Sequence, residues 1–318
     1  LDPRALWAMR VRLVGLGGLQ VVLTAAAGMA VAAWLGLQWQ TAIAVGLIFA
    51  LSSTAIVLQT LNEKGLVKTE GGRSAFSVLL FQDIAVIPML ALIPLLALPE
   101  LMDATAGSDA KQGHLSLVDS LSGWAHGLVV VAAVGAVIVG GHYLSRPLFR
   151  YVVQSGLREV FTATALMLVI GIAALMSLVN LSPALGAFLA GVVLANREFR
   201  HELEANIEPF KGLLLGLFFI TVGAGINFDV LSEQWSTVVS LAVAVIAVKA
   251  AILLGLALLF RVHGSNGWLF TLSLAQAGEF GFVLLTYSVQ NNVIPMETSQ
   301  VLSLVVALSM FLTPLLFI

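Results

Sequence analysis

The chain has no cysteine and very few charges for its length. The absence of cysteine in 318 residues excludes both a disulfide framework and a thiolate metal site. Charged residues make up only 10% of the chain and hydrophobic residues 59%, whereas a soluble domain carries about 25% charged residues. The mean hydropathy is +1.02. These proportions indicate an all-α, multi-pass protein of the lipid bilayer.

Ten apolar runs are predicted to cross the membrane as helices. They are Val14–Leu37, Thr41–Leu61, Phe76–Leu98, Trp124–Leu144, Phe161–Val179, Pro183–Ala195, Leu213–Ile226, Val238–Phe260, Trp268–Val289 and Val301–Ile318. The sixth and seventh runs are short for a hydrocarbon core of about 30 Å, so we expect their ends to extend into polar segments or to be tilted.

Basic residues are confined almost entirely to alternate loops between these spans. When the spans alternate, one side of the membrane receives Arg4, Arg10, Arg12, Lys64, Lys68, Arg73, Arg146, Arg150, Arg158, Arg197, Arg200, Lys211 and Arg261. The opposite side receives Lys111 as its one basic residue, with Glu100, Asp103, Asp109, Asp119, Asp229, Glu233 and Glu297. This asymmetry predicts that both ends of the chain are cytoplasmic. Outside these loops the sequence has no basic patch that could bind nucleic acid.

Three ionisable side chains fall inside predicted spans. Asp83 lies in the third span, Lys249 in the eighth and Glu279 in the ninth. A charge at the centre of a membrane helix costs about 2.5–3.5 kcal/mol on insertion scales, so these positions indicate a cation or proton site. A neutral Asp83 bonded to a neighbouring helix is the simpler alternative. Polar or small residues accompany them at Ser52, Ser53, Thr54, Gln82, Gln276 and Gly278.

Two other classes of membrane protein are alternatives to an ion carrier. An intramembrane aspartyl protease needs two intramembrane aspartates, and the predicted spans contain one, Asp83. An intramembrane serine protease needs a histidine deep in the membrane, but the five histidines fall in loops or at span ends. Their spacing also does not fit a metal site. A passive ligand-gated channel could use the same polar lining. Coupled proton movement distinguishes a channel from a carrier.

Four segments of the chain resemble one family of transporters. Leu51–Ile56, Gly72–Phe76, Leu79–Ala85 and Glu208–Leu214 resemble the Kef glutathione-gated potassium efflux proteins of the monovalent cation–proton antiporter superfamily. The resemblance implies a thirteen-helix inverted-repeat fold with two crossing discontinuous helices. It further implies that residues 1–318 form the exchange domain, without the first three helices.

The resemblance also assigns residues to a transport site. It implies that the second and ninth spans unwind at Ser53-Thr54 and from Ala277 to Phe280. Asp83 would bind either K⁺ or a proton, with Gln82, Ser53 and Thr54 beside it. Lys249 would match a membrane lysine that in some relatives pairs with an Asp at the position of Gln82. Because Gln82 cannot neutralise a lysine, we expect Lys249 to pair with Glu279 instead, within a supporting polar network that includes Gln276 and Gly278. A sodium/proton antiporter of the same fold is the alternative.

Regulation is likewise expected from the resemblance. The cytoplasmic segment containing His201, Glu202, Glu204, Asn206 and Glu208 resembles an acidic loop that holds such transporters closed. The chain itself is expected to hold no cofactor and to catalyse no reaction, since glutathione or nucleotide would act on a C-terminal domain absent from this chain. The implied setting is the bacterial inner membrane. The implied partners are a second copy of the chain and a soluble cytoplasmic regulatory subunit.

Overall fold

The computed structural model describes residues 11–99, 101, 132, 135–137, 139–141, 143, 147–152, 158–178, 183–194 and 200–316, which form helices joined by turns and unwound segments. Its helices are α1 (Gly18–Trp34, preceded by the π-helical Val11–Gly17), α2 (Trp39–Ala50), α3 (Thr54–Glu63), α4 (Glu70–Leu92), α5 (Arg158–Leu178), α6 (Pro183–Leu194), α7 (Arg200–Ala224), α8 (Phe228–Glu233), α9 (Trp235–Leu259), α10 (Ser265–Leu274), α11 (Phe280–Gln290) and α12 (Met296–Leu316). The expectation of an all-α membrane protein is confirmed.

Six helical segments are long and apolar enough to cross a membrane. They are Leu13–Trp34, Trp39–Glu63, Glu70–Leu96, Glu159–Leu178, Trp235–Leu259 and Met296–Pro314. Gly212–Ala224 and Phe280–Gln290 are shorter apolar helices. These segments match nine of the ten predicted spans in place, with α6 as the sixth and α10 with α11 as the ninth. Most of the fourth predicted span, Trp124–Leu144, lies outside the described residues.

The chain divides into two compact units, one formed by Leu1–Ser108 with Ile226–Ile318 and the other by Asp109–Gly225. The first unit contains α1–α4 and α8–α12. Within it, α1 and α2 pack most extensively against each other. A Cβ atom on Gly28 would lie 2.9 Å from the Cα atom of Gly46, so only glycine allows the two backbones to approach this closely.

The two ends of the first unit differ in charge. At one end, the backbone N–H of Gly71 donates to the side chain of Asn266 at 3.3 Å. The exposed basic residues Lys64, Lys68, Arg73 and Arg261 lie on the turns and helix start at this end. At the other end, the Thr41 hydroxyl donates to the Val293 carbonyl at 2.8 Å. The grouping of basic residues at one end is what the loop charges predicted.

An apolar core lies between the helices at the basic end of the first unit. Its buried members come from α3, α4, α9 and α10 and include Leu61, Leu79, Leu253 and Phe270. This core fixes α3, the second half of the second span, and α10, the first half of the ninth span, against α4 and α9, and so positions the polar residues described below.

The second unit contains α5, α6 and α7. Its core is a cluster of Phe149, Val152, Phe161, Ala165 and Leu194. The rings of Phe149 and Phe161 pack with their centroids 5.1 Å apart. The unit carries no described ionisable group at the centre of a helix of membrane-spanning length.

Candidate functional site

The second predicted span is broken at its centre. Leu51 and Ser53 both have extended backbones, with ψ angles of 146° and 109°, and the chain resumes as a helix at Thr54. The Ser53 hydroxyl caps the new helix by accepting from the N–H of Ile56 at 3.3 Å. The expected break is confirmed, but it lies at Leu51–Ser53, and Thr54 is the first residue of α3.

The ninth predicted span is broken in the same way, between Leu274 at the end of α10 and Phe280 at the start of α11. This break begins two residues earlier than the expected Ala277. The two breaks meet, since a Cβ atom on Gly278 would lie 2.5 Å from the carbonyl oxygen of Ser52. The Ser52 hydroxyl also donates to the Leu274 carbonyl at 2.8 Å. Two discontinuous helices therefore cross at their unwound segments.

Lys249 lies at this crossing and is only 1% exposed. Its ammonium donates to the carbonyl oxygens of Leu51 and Gln276, each at 2.6 Å. Both carbonyls lie just beyond helix C-termini, where the helix dipole is negative and the carbonyls lack intrahelical partners. The expected pairing of Lys249 with Glu279 is wrong, because the lysine is held by the free carbonyls of both broken helices.

The two carboxylates gather at the N-terminus of α3. Asp83 is partly buried, and its Oδ1 accepts from the hydroxyl of Thr54 at 3.1 Å. Oε1 of Glu279 accepts from the next backbone N–H, that of Ala55, at 3.4 Å. The positive end of the α3 dipole favours negative charge here. Within the described part of the chain, neither carboxylate forms an ion pair.

Gln82 is nearly fully buried and holds the first break open. Its Oε1 accepts from the backbone N–H of Ser52 at 2.8 Å, and its Nε2 donates to the Ala50 carbonyl at 3.2 Å and to Gln20 Oε1 at 2.7 Å. Gln82 therefore supports the unwound backbone, whereas the adjacent Asp83 directs a carboxylate oxygen to the N-terminus of α3.

Gln20 is a site residue that the sequence analysis missed. It is fully buried in α1, and its Nε2 donates to the Ala50 carbonyl at 3.0 Å and to the Thr24 hydroxyl at 3.1 Å. The signal was present, since Gln20 is an amide within the apolar run Val14–Leu37. Ser309 was also missed as a partner of the second break, where its hydroxyl accepts from the N–H of Ala277 at 3.2 Å.

The expected acidic loop is helical in backbone. His201, Glu202, Glu204, Asn206 and Glu208 all lie in the first turns of α7, which runs from Arg200 to Ala224. Of these side chains the structure describes Asn206, which is partly buried. A loop conformation was expected here, and the helix differs because hydropathy defines where a helix leaves the apolar layer, while a helix rich in glutamate continues beyond that point. That the segment holds the transporter closed stays a prediction.

A cavity of about 280 Å³ adjoins Lys249 in the first unit. Its walls are almost entirely apolar and include Val31, Phe49, Val245 and Val305. Asp83, Thr54 and Glu279 are not among its lining residues. This cavity is therefore separate from the two carboxylates, and its apolar walls offer a cation no ligands.

A profile of the family described as sodium/hydrogen exchanger, transmembrane, matches residues 1–318. The chain belongs to the sodium/hydrogen exchanger family. Among its relatives are the glutathione-regulated potassium-efflux system proteins KefC of Escherichia coli strain K12 and of Shigella boydii serotype 18, each 45% identical over the whole chain. The chain spans about half of each relative's length, 49%.

Membership of the sodium/hydrogen exchanger family makes the chain part of a membrane transporter. It also gives the crossing helices a context, because unwound helices in transporters supply carbonyls, helix termini and side chains to ions near the bilayer midplane. The crossing in this member of the family brings together one lysine, two carboxylates and the hydroxyl of Thr54.

Proposed function

We propose that the protein exchanges K⁺ for protons across the bacterial inner membrane, and that Asp83 binds the two ions in turn. The observation that supports this proposal best is the placement of the Asp83 carboxylate. It accepts one hydroxyl hydrogen bond at a helix N-terminus, and no basic side chain neutralises it among the described residues. A carboxylate without a permanent counter-charge is available to a mobile cation.

The exchange follows from competition for one carboxylate. When Asp83 carries a proton it is neutral, and a cation loses its electrostatic anchor. When the proton leaves, the negative charge returns and a cation binds. Each ligand therefore expels the other, so that one proton moves against one monovalent cation. The site carries the same net charge with either ligand bound, provided that Lys249 keeps its proton throughout. Transport is then electroneutral.

Potassium is the proposed ion because of the donor set and of the relatives. Hydroxyl groups and unwound backbone carbonyls suit a large cation that accepts weak oxygen dipoles. The KefC relatives are named as potassium-efflux proteins. Their names also state regulation by glutathione, and we propose comparable gating of this protein through its helical segment from His201 to Glu208. A homodimer and a soluble regulatory subunit belong to the same proposal.

The test is proton movement driven by a potassium gradient. The purified full-length protein is reconstituted into liposomes that contain a pH-sensitive dye and potassium, and external potassium is removed. Exchange acidifies the lumen without a protonophore. A passive channel creates only a membrane potential, and acidifies the lumen only when a protonophore is added. The same measurement with sodium inside identifies a sodium/proton exchanger.

Asp83→Asn is the matched variant for this assay. It is expected to abolish exchange while the protein remains monodisperse in detergent, because asparagine keeps the size of the side chain and cannot exchange a proton. Asp229→Asn, at an exposed position in α8, is the control and should behave like the wild type. Persistent potassium-driven acidification with Asp83→Asn would refute the assignment.

A further inference from the structure

Glu279 has a position in the site that the exchange scheme above does not use. Its Oε1 accepts the long hydrogen bond from Ala55, next to the residue that binds Asp83. Its Oε2 is shielded from solvent, and no hydrogen-bond donor reaches it from the described part of the chain. A buried carboxylate oxygen with no donor is costly, so this atom calls for a proton or a cation.

A second polar group in the same break lacks a partner as well. Gln276 is fully buried, and neither Oε1 nor Nε2 of its side chain has a hydrogen-bond partner within the described residues. Its backbone carbonyl is occupied by Lys249. The unwound segment from Ala275 to Glu279 therefore contains both a carboxylate oxygen and an amide oxygen with unused bonding capacity.

Lys249 does not form an ion pair with Glu279. The ammonium of Lys249 is bound by two carbonyls just beyond the C-termini of α2 and α10, whereas Glu279 and Asp83 lie at the N-terminus of α3. Asp83, Glu279 and Lys249 are the ionisable groups that the first unit places in the middle of its described spans. With all three ionised, the site carries one net negative charge, which one monovalent cation neutralises.

We propose that Glu279 is a second carboxylate ligand of the transported cation, so that the ion is held between Asp83 on α4 and Glu279 at the start of α11. This inference rests on the proposed exchange of a cation for a proton. It assigns the break between α10 and α11 a direct role in binding, in addition to its contact with the first break. A cation between two carboxylates would also join the two broken helices during transport.

Glu279→Gln tests the charge separately from the hydrogen bond. Glutamine keeps an oxygen that can accept from Ala55 and has the same length, so the backbone contact is retained while the negative charge is lost. The expected result in liposomes is a rise of at least about tenfold in the KM for K⁺, with a maximal rate within about twofold of the wild type. Glu297→Gln, at an exposed position, is the control.

A second readout does not depend on transport. Ligands that bind only the folded state raise the melting temperature, so K⁺ should stabilise the detergent-purified wild type relative to choline at equal ionic strength. Glu279→Gln should lose most of that stabilisation while keeping its melting temperature in choline. An unchanged KM and unchanged stabilisation by K⁺ would overturn the ligand role. A fall in maximal rate with an unchanged KM would overturn it too, since it indicates a positioning residue.

The two proposals fail in different ways. A wild-type protein that moves no protons in response to potassium overturns the proposed exchange, and stabilisation by K⁺ then still decides whether Glu279 binds the ion. A wild-type protein that exchanges, with a Glu279→Gln variant indistinguishable from it, overturns only the role of Glu279.

Discussion

At the scale of single residues, Lys249 shows how a buried charge can be stabilised without an acidic partner. Its ammonium group donates two short hydrogen bonds to carbonyls just beyond the C-termini of α2 and α10, where the partial charge is negative. The two carbonyls are stabilised as well, because the membrane interior offers them no water as a hydrogen-bond donor. Lys249 is therefore a structural cation that holds the crossing together.

Lys249→Met is expected to destabilise the protein strongly. It leaves the carbonyls of Leu51 and Gln276 without a donor, and each such loss costs about 1–3 kcal/mol. The melting temperature in detergent is the measurement. Lys68→Met makes the same chemical change at an exposed turn and should have little effect. Equal melting temperatures for the two variants would contradict the structural role of Lys249.

Thr54 is the residue that orients Asp83. Thr54→Val removes the hydroxyl that donates to the carboxylate and is expected to raise the KM for K⁺ by about tenfold or more, since a hydrogen bond to a charged group contributes about 1.5–3 kcal/mol. Thr60→Val is the control, because the Thr60 hydroxyl donates to the Ile56 carbonyl of its own helix. Thr54→Ser should retain most of the affinity. Equal KM values for Thr54→Val and the wild type would show that the hydroxyl is dispensable.

At the scale of elements, the two breaks are supported in the same manner. One half is α1–α4 and the other is α9–α12. In the first half, Gln20 of α1 donates to the Ala50 carbonyl, and in the second half, Lys249 of α9 donates to the Gln276 carbonyl. The third helix accepts from an N–H within each break. Gln82 accepts from Ser52, and Ser309 accepts from Ala277. This correspondence between α1–α4 and α9–α12 is the arrangement expected of an inverted repeat, and the bonds from Lys249 to Leu51 and from Ser52 to Leu274 connect the two halves.

A side chain at Gly278 should prevent the crossing from forming. Gly278→Ala would place a Cβ atom 2.5 Å from the carbonyl oxygen of Ser52, a contact with backbone that cannot move aside easily. We expect loss of exchange and a lower melting temperature. Gly255→Ala on α9 is the control, since nothing in the described chain lies within 4 Å of its added Cβ atom, and alanine favours a helix by about 1 kcal/mol. Wild-type exchange by Gly278→Ala would contradict the crossing.

The sequence predicted the spans and the ionisable residues well, because hydropathy and intramembrane charge are local properties. The break at Leu51–Ser53 could not be derived from composition, since it contains neither glycine nor proline and its only local signal is Ser53 as a helix cap. The partner of Lys249 was mispredicted for a different reason. Sequence shows acidic side chains, but it does not show which backbone carbonyls lose their helical partners and become free to bind a cation.

At the scale of the whole molecule, the distribution of charge predicts how the first unit lies in the membrane. Its basic turns gather at one end, near Gly71 and Asn266, as the loop charges require of a cytoplasmic face. Trp34, Trp39 and Trp235 are exposed near the other end, where aromatic side chains suit the membrane interface. This orientation is a prediction that labelling can test.

The absence of cysteine makes that test direct, since a cysteine introduced into this chain has no competitor within it. Lys68→Cys and Glu297→Cys replace exposed residues at opposite ends of the first unit. A membrane-impermeant maleimide added to intact cells is expected to label Glu297→Cys, and to label Lys68→Cys only after the inner membrane is permeabilised. The reverse pattern would invert the orientation.

We propose that one carboxylate, Asp83, binds either a proton or a potassium ion and never both. The most direct test measures the KM for K⁺ and the maximal rate of exchange in liposomes over a series of pH values. Competition predicts that on the acidic side the KM rises by about tenfold for each pH unit, while the maximal rate at saturating potassium stays constant. A KM that does not change with pH, with a maximal rate that falls, would contradict it.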